Sequence, residues 1–210
     1  MAYGEGLRQL NPLRPELIGD TLSRYCPKGA AVADVGCGRG DTLAWLRQHS
    51  DYALCGVEAE PDYAAACGAV RGRAEALPLA EGSLDAALLE CVFSLLEQPR
   101  QAVGELSRVL RPGGVLLLSD LYGKSGSVTL TDSDLLRHVY REEEISGLWQ
   151  EAGFCRLEFT DHTFAMQSLL AQMIMDGAAC DCCEPGNRAL LKRVKAGYGL
   201  WVFRREEEGF

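Results

Sequence analysis

The sequence predicts a single α/β domain built around an open, doubly wound and mostly parallel β-sheet. Short apolar runs alternate with stretches of helical periodicity, which is the order expected of successive βαβ units. The chain has 210 residues, a length that fits one domain with a sizeable buried core. No internal repeat or low-complexity segment interrupts this pattern, so we expect one domain over residues 1–210.

The elements follow from local periodicity and from residues that begin or end a helix. Pro15 suits the first turn of the first helix, Asp41 suits the dipole of the second, and the Arg-Pro-Gly-Gly sequence after Leu110 stops the fourth. The predicted helices are 13–26, 41–49, 61–70, 101–110, 141–152, 164–175 and 187–195. The predicted strands are 30–35, 52–58, 84–89, 115–120, 155–160 and 198–204.

A long helical insertion precedes the last predicted strand. It spans 161–197 and contains the last two predicted helices. In an open α/β sheet the ligand binds beyond the carboxyl ends of the strands. We therefore expect the insertion to shape a binding site; the alternative is that it only covers an exposed face of the sheet.

Composition limits the classes of function. The formal net charge is −9, which argues against broad binding to nucleic acid or anionic membranes because both need a basic surface. The start of the chain has no secretory signal pattern, and no apolar run approaches the roughly 20 residues that span a bilayer. These features predict a cytoplasmic protein with no nucleic-acid or membrane partner. Most of the nine cysteines are then expected to be reduced, small buried residues.

A glycine loop follows the first predicted strand and precedes the second helix. Gly36, Gly38 and Gly40 let the backbone turn tightly and approach a ligand, and the helix N-terminus offers free N–H groups. The spacing is not the G-x-G-x-x-G that is typical of dinucleotide sites. Asp34 at the strand end favours a cationic or amine-bearing ligand. Glu58 ends the next strand, where an acid can accept both ribose hydroxyls; a solvated strand-end charge is the alternative.

Four segments in this order resemble the class I S-adenosylmethionine-dependent methyltransferases of the small-molecule type. They are VADVGCGRGD, GVEAEPDYAAAC, RGRAEALPLAEGSLDAALLECVFSLL and ELSRVLRPGGVLLLSDLY, which together cover roughly residues 30–120. The resemblance implies a Rossmann-like sheet of seven strands with an antiparallel last strand. It also implies an N-terminal helical cap (1–28), a cofactor-binding core (30–120), an acceptor-shaping half (121–197) and a last strand (198–204).

The resemblance assigns a binding role to ten residues. They are Asp34, Gly36, Gly38 and Gly40 at the methionine end of the cofactor, Glu58 at the ribose, Ala59, Ala74 and Glu75 at the adenine, Glu90 where cofactor and acceptor meet, and Arg14 at the cofactor carboxylate. A surface ion pair is the alternative for Arg14. The family pattern has an acid before Ala74, whereas this chain has Arg73, which puts side-chain recognition of the adenine amine in doubt.

Candidates for a general base are few. His162 and Tyr122 follow predicted strands near the ligand edge of the sheet, whereas His49 and His138 fit exposed or structural positions. Methyl transfer from a sulfonium needs alignment and exclusion of water more than acid–base chemistry, so the lack of a catalytic triad does not count against an enzyme.

The cluster Cys180, Asp181, Cys182 and Cys183 has three interpretations. The thiols are structural, capture a soft metal or metalloid, or form a redox pair. The metalloid interpretation predicts an arsenite-type methyl acceptor, with Cys91 contributing. The cluster lacks the paired C-x-x-C spacing of a structural zinc site.

The sequence therefore predicts an S-adenosylmethionine-dependent methyltransferase with a small-molecule acceptor. A nicotinamide-dependent oxidoreductase and a non-catalytic S-adenosylmethionine-binding accessory protein are the competing hypotheses. We expect the change Gly36→Val to abolish cofactor binding with little loss of fold. No motif identifies the acceptor.

Overall fold

A computed structural model of the protein describes residues 11–130, 136–176 and 185–207. The fold is built around a seven-stranded sheet with helices on both faces. The helices are α1 (Pro15–Tyr25), α2 (Asp41–His49), α3 (Pro61–Cys67), α4 (Pro99–Val109), α5 (Glu142–Glu151), α6 (Thr163–Met175) and α7 (Pro185–Arg193). The strands are β1 (Ala31–Val35), β2 (Ala53–Glu58), β3 (Val70–Arg71), β4 (Leu84–Glu90), β5 (Leu110–Gly123), β6 (Val128–Thr129), β7 (His138–Val139), β8 (Phe154–Asp161) and β9 (Ala196–Arg205).

The strand order of the main sheet is β3-β2-β1-β4-β5-β9-β8. The first five strands run parallel, and β9 pairs antiparallel with both β5 and β8. The predicted α/β class, the mostly parallel sheet of seven strands and the antiparallel last strand are therefore confirmed. In the described parts of the chain, no helix combines the length and apolar character that crossing a membrane requires.

Two apolar cores cover the two faces of the sheet. Alternate residues of β5 point to opposite faces, so Leu116 packs in one core and Leu117 in the other. Trp149 of α5 belongs to the first core, and Ile18 of α1 belongs to the second. Because both faces of the sheet are buried, the central strands are nearly continuous apolar runs, and such runs can be recognised in the sequence.

The structure corrects several predicted boundaries. The helix predicted over 61–70 ends at Cys67 because Gly68 adopts a left-handed conformation (φ 69°), and Val70 then begins the short β3. The strand predicted over 115–120 extends over Leu110–Gly123, and α7 begins two residues earlier than predicted. The small β6–β7 sheet was not predicted. The helical insertion before the last strand is present as α6 and α7.

Candidate active site

A cavity of about 920 Å³ lies at the carboxyl ends of the parallel strands. Its walls include residues at the ends of β1, β2, β4 and β5, together with residues of α6 and α7. This is the edge where open α/β sheets bind ligands. The volume lies at the upper end of the range of small-molecule pockets, which is roughly 300–1,000 Å³.

The glycine loop forms one wall of this cavity. Gly36, Gly38 and Gly40 all have left-handed backbone conformations, with φ of 76°, 55° and 77°, which favour glycine. Gly36 and Gly38 line the cavity, whereas Gly40 caps the N-terminus of α2 and lies outside the lining. Within the loop, the Sγ of Cys37 lies 3.8 Å from the Sγ of Cys67 at the end of α3.

Glu58 is fixed by the backbone around it. One carboxylate oxygen accepts the Gly38 N–H at 2.8 Å, and the other accepts the Glu60 N–H at 2.8 Å. Each carboxylate oxygen has two lone pairs, so each can accept one further hydrogen bond. The side chain lines the cavity with both oxygens oriented in advance, which suits a ligand that presents two neighbouring hydroxyls.

Asp34 and Glu90 add two carboxylates to the same wall. Asp34 is buried at the end of β1, and burial raises its pKa well above the ordinary value, with further contributions from Glu90 and Glu58. Burial also raises the pKa of Glu90, although hydrogen bonds from the side chains of Asn11 and Thr42 oppose this shift. Among the described residues, no basic side chain pairs with Asp34, Glu58 or Glu90. The wall is therefore suited to a cationic ligand.

Ala59, Ala74 and Glu75 lie at the cavity beyond Glu58. Arg73, the departure from the family pattern, places its Nε 3.5 Å from Oε2 of Glu75. The other oxygen, Oε1 of Glu75, is buried and has no hydrogen-bond partner within the described residues. A buried acceptor without a donor is costly, so this oxygen is free to accept from a ligand amine.

The ends of β5 and β9 bring further polar residues to the cavity that the sequence analysis did not identify. Asp120 accepts the N–H groups of Ser94 and Leu121, and burial raises its pKa to about 6 against the effect of these bonds. Tyr198 places its Oη 2.9 Å from Sγ of Cys91 and 3.1 Å from Oγ of Ser119. The only signal in the sequence for Asp120 was an acid at the carboxyl end of a buried strand.

Three of the candidate residues do not line the cavity. Tyr122 is buried in the core, with its ring edge-on to Phe159 and Trp201. His162 precedes α6, and burial lowers its pKa; its Nε2 is buried without a partner in the described part of the chain. Arg14 is 84% exposed and lies 3.7 Å from Glu16, which is the surface ion pair given as its alternative role.

The cysteine cluster Cys180, Cys182 and Cys183 lies outside the described residues. Over the ranges that the structure does describe, no group of three or more histidine, cysteine, aspartate or glutamate side chains is arranged to hold a metal ion. Cys91 lines the cavity, and burial raises the pKa of its thiol strongly.

The strand order, the antiparallel β9 and the glycine loop at the carboxyl edge define a Rossmann-like methyltransferase fold. Residues 33–118 match the family model described as "Methyltransferase domain". This matched segment contains the glycine loop and supports a class I S-adenosylmethionine-dependent methyltransferase, as the sequence motifs predict.

Relatives at low identity cover most of the chain. The malonyl-[acyl-carrier protein] O-methyltransferase of Pectobacterium atrosepticum is 28% identical over 211 residues, with 91% of this chain and 74% of the relative covered. O-methyltransferase cnsE of Penicillium expansum is 27% identical over 174 residues, with 70% of this chain and 62% of the relative covered. This chain therefore spans less than two thirds of the length of the second relative.

A solved structure shows the same fold. Phosphoethanolamine N-methyltransferase 2 of Haemonchus contortus, in complex with phosphomonomethylethanolamine and S-adenosylhomocysteine, superposes with a TM-score of 0.72 at 16% identity. The superposition covers 91% of this chain and 53% of that chain. At this identity the likeness establishes the fold alone.

Proposed function

We propose that this protein is an enzyme that binds S-adenosylmethionine at the glycine loop and transfers its methyl group to a small molecule. The observation that carries the proposal is the wall of three carboxylates, Asp34, Glu58 and Glu90, which has no basic partner among the described residues. Carboxylates without a basic partner in a partly buried wall favour a ligand that carries positive charge and hydroxyl groups. The cofactor has a sulfonium, an ammonium and a ribose.

The residues present fit the rest of this cofactor. Oxygens of Glu58 are oriented for the ribose hydroxyls, and the buried Oε1 of Glu75 is an acceptor that an adenine amine would satisfy. In this proposal Glu75 takes over the recognition that the family pattern gives to an acid at the position of Arg73. The cofactor-bound structure of the Haemonchus contortus relative supports the same ligand class.

The bound cofactor supplies a methyl carbon to which the acceptor's lone pair bonds, while the electron pair of the broken carbon–sulfur bond returns to sulfur and S-adenosylhomocysteine leaves. The chain itself aligns the acceptor and excludes water from the cavity. Asp120 lines the cavity, and a pKa of about 6, near neutral pH, suits it to take a proton from an acceptor that carries one.

Isothermal titration with S-adenosylmethionine, S-adenosylhomocysteine and NAD tests the proposal. We expect both S-adenosyl compounds to bind and NAD not to bind. Tight NAD binding without S-adenosylhomocysteine binding would overturn it in favour of the oxidoreductase hypothesis. The accessory-protein hypothesis predicts binding without methyl transfer to any acceptor, and the metalloid hypothesis predicts that methyl transfer requires arsenite.

A further inference from the structure

The part of the cavity formed by α6, α7, the end of β5 and the segment after β4 differs in chemistry from the glycine-loop wall. Six apolar side chains line it, and we call them the apolar wall: Leu95, Leu121, Met166, Leu169, Leu170 and Leu191. No carboxylate of α6 or α7 lines the cavity within the described residues. The cavity therefore has an end with the carboxylates Asp34, Glu58 and Glu90, which also carries Arg39 and Arg73 and which we call the acidic end, and an apolar end.

The side chains of the apolar wall are only partly buried. Although α6 has 13 residues and is largely apolar, none of its side chains is fully buried. Leu95 is 39% exposed, and Ile174, which also lines the cavity, is 61% exposed. Apolar side chains that face a cavity and are wet on that side gain stability when an apolar ligand covers them. The wall thus favours a ligand with an apolar body.

Three basic side chains, which we call the basic trio, also line the cavity beside this wall: Arg188, Lys192 and Lys195. None of them forms an ion pair with another described residue, whereas nearby Lys124 is paired with Asp161 at 2.7 Å. Arg188 and Lys192 are four residues apart on α7, a spacing at which like charges repel. In a chain with a net charge of −9, this is a local concentration of positive charge facing a cavity.

We propose that the methyl acceptor is an amphipathic anion, with its apolar body along the apolar wall and its anionic group held by the basic trio. The inference rests on the proposed function, because it takes the acidic end of the cavity as the cofactor site. Arg188 and Lys192 would attract the anionic group to their end of the cavity, away from the carboxylates of the glycine-loop wall. The charge distribution therefore orients the acceptor relative to the cofactor.

The test uses four probes with the same ten-carbon chain: decanoate, decyl phosphate, decanol and decyltrimethylammonium. Each is titrated calorimetrically into the full chain with and without S-adenosylhomocysteine. We expect decanoate or decyl phosphate to bind at least about tenfold more tightly than decanol, and the ammonium probe not to bind. The stronger of the two anions identifies the acceptor's charged group as a carboxylate or a phosphate. Equal binding of decanol and the anions overturns the proposal.

Variants locate the binding site. The double change Arg188→Gln and Lys192→Gln should lower the affinity for the anionic probe about tenfold or more and leave decanol binding unchanged. The matched control, Lys28→Gln with Arg47→Gln, removes the same charge from exposed positions outside the cavity and should bind like the parent. Unchanged anion binding in the first variant overturns the proposal. If the unmodified protein does not bind S-adenosylhomocysteine, only the proposed function is contradicted, because the probes are also titrated without that ligand.

Discussion

The backbone N–H of Gly38 donates to the Glu58 carboxylate at 2.8 Å, so the glycine loop and the end of β2 form one hydrogen-bonded unit. The two residues are 20 positions apart in sequence and come from neighbouring parallel strands. The N–H of Glu60 holds the second oxygen, which removes the rotational freedom of the carboxylate before any ligand binds. A side chain that is already ordered loses less conformational entropy when a ligand binds.

The change Glu58→Gln should weaken S-adenosylhomocysteine binding by roughly 10- to 150-fold, which corresponds to the about 1.5–3 kcal/mol of a hydrogen bond to a charged group. An amide has only one oxygen, so the N–H of either Gly38 or Glu60 would then face an NH₂ group. Calorimetric titration measures the change. Glu143→Gln, at an exposed position on α5, is the control and should bind like the parent. Equal affinities for both variants would show that Glu58 does not touch the cofactor.

Oε1 of Glu75, which has no partner among the described residues, predicts selectivity for the adenine amine. Glu75→Gln should reduce the preference for S-adenosylhomocysteine over S-inosylhomocysteine by about tenfold, because an amide can also donate to the inosine carbonyl. Competition titrations with the two ligands give the ratio. Glu97→Gln is the matched control, since it removes the other acid paired with Arg73, at 3.8 Å, without changing the cavity wall. A ratio that is unchanged in Glu75→Gln contradicts the assignment.

The two glycines of the loop that line the cavity should respond differently to substitution. A Cβ at Gly36 would lie 2.4 Å from Val92, whereas a Cβ at Gly38 meets no atom within 4 Å. Both positions are left-handed, so alanine at either costs about 1–2 kcal/mol of strain, and Gly36→Ala adds about 1–3 kcal/mol of overpacking. The expectation that Gly36→Val leaves the fold intact is therefore revised.

Urea unfolding of Gly36→Ala and Gly38→Ala measures this difference. The double variant Gly36→Ala with Val92→Ala removes the clash but not the strain, and it should recover part of the lost stability. We expect Gly38→Ala to remain folded while binding S-adenosylhomocysteine more weakly than the parent. If Gly36→Ala is as stable as Gly38→Ala, the contact with Val92 does not constrain the loop.

Local patterns in the sequence were sufficient for the fold and for the glycine-loop wall. The central strands are apolar on both faces, and the glycine loop with Asp34 is contiguous, so both are visible without tertiary contacts. The helix predicted beyond Cys67 was wrong because a single left-handed glycine outweighs helical periodicity. β3 has two residues and depends on pairing with β2, which a periodicity argument cannot detect.

The polar partners in the cavity were not predictable in the same way. Asp120 becomes notable only because Ser94, 26 residues earlier, donates to it inside the core. Glu75 becomes notable only because Arg73 pairs with its Oε2 while its Oε1 is buried without a partner in the described part of the chain. Tyr122 and Leu121 are adjacent on β5, yet Tyr122 packs in the first core whereas Leu121 lines the cavity.

The raised pKa of Asp120 predicts how stability depends on pH. Its ordinary value is 3.8 and its value in the folded protein is about 6, so between these pH values the folded state binds the proton more tightly than the unfolded state. Stability from this group is therefore greatest below about pH 4 and falls as the pH rises through about 6. Two pKa units correspond to about 3 kcal/mol.

The side chain of Asp120→Asn does not titrate, so the difference between the parent and this variant isolates the contribution of the Asp120 carboxyl to the pH dependence of stability. The free energy of unfolding, measured in urea from pH 4 to pH 7, should fall by about 2 kcal/mol more in the parent than in Asp120→Asn over this range. The variant also loses a hydrogen bond from Ser94 or Leu121, which lowers its stability by a similar amount at every pH and leaves the slope difference intact. Asp62→Asn, on the exposed first turn of α3, should follow the parent's curve. Parallel curves for the parent and Asp120→Asn would mean that burial does not shift the titration of Asp120, and would remove it as the proton acceptor for methyl transfer.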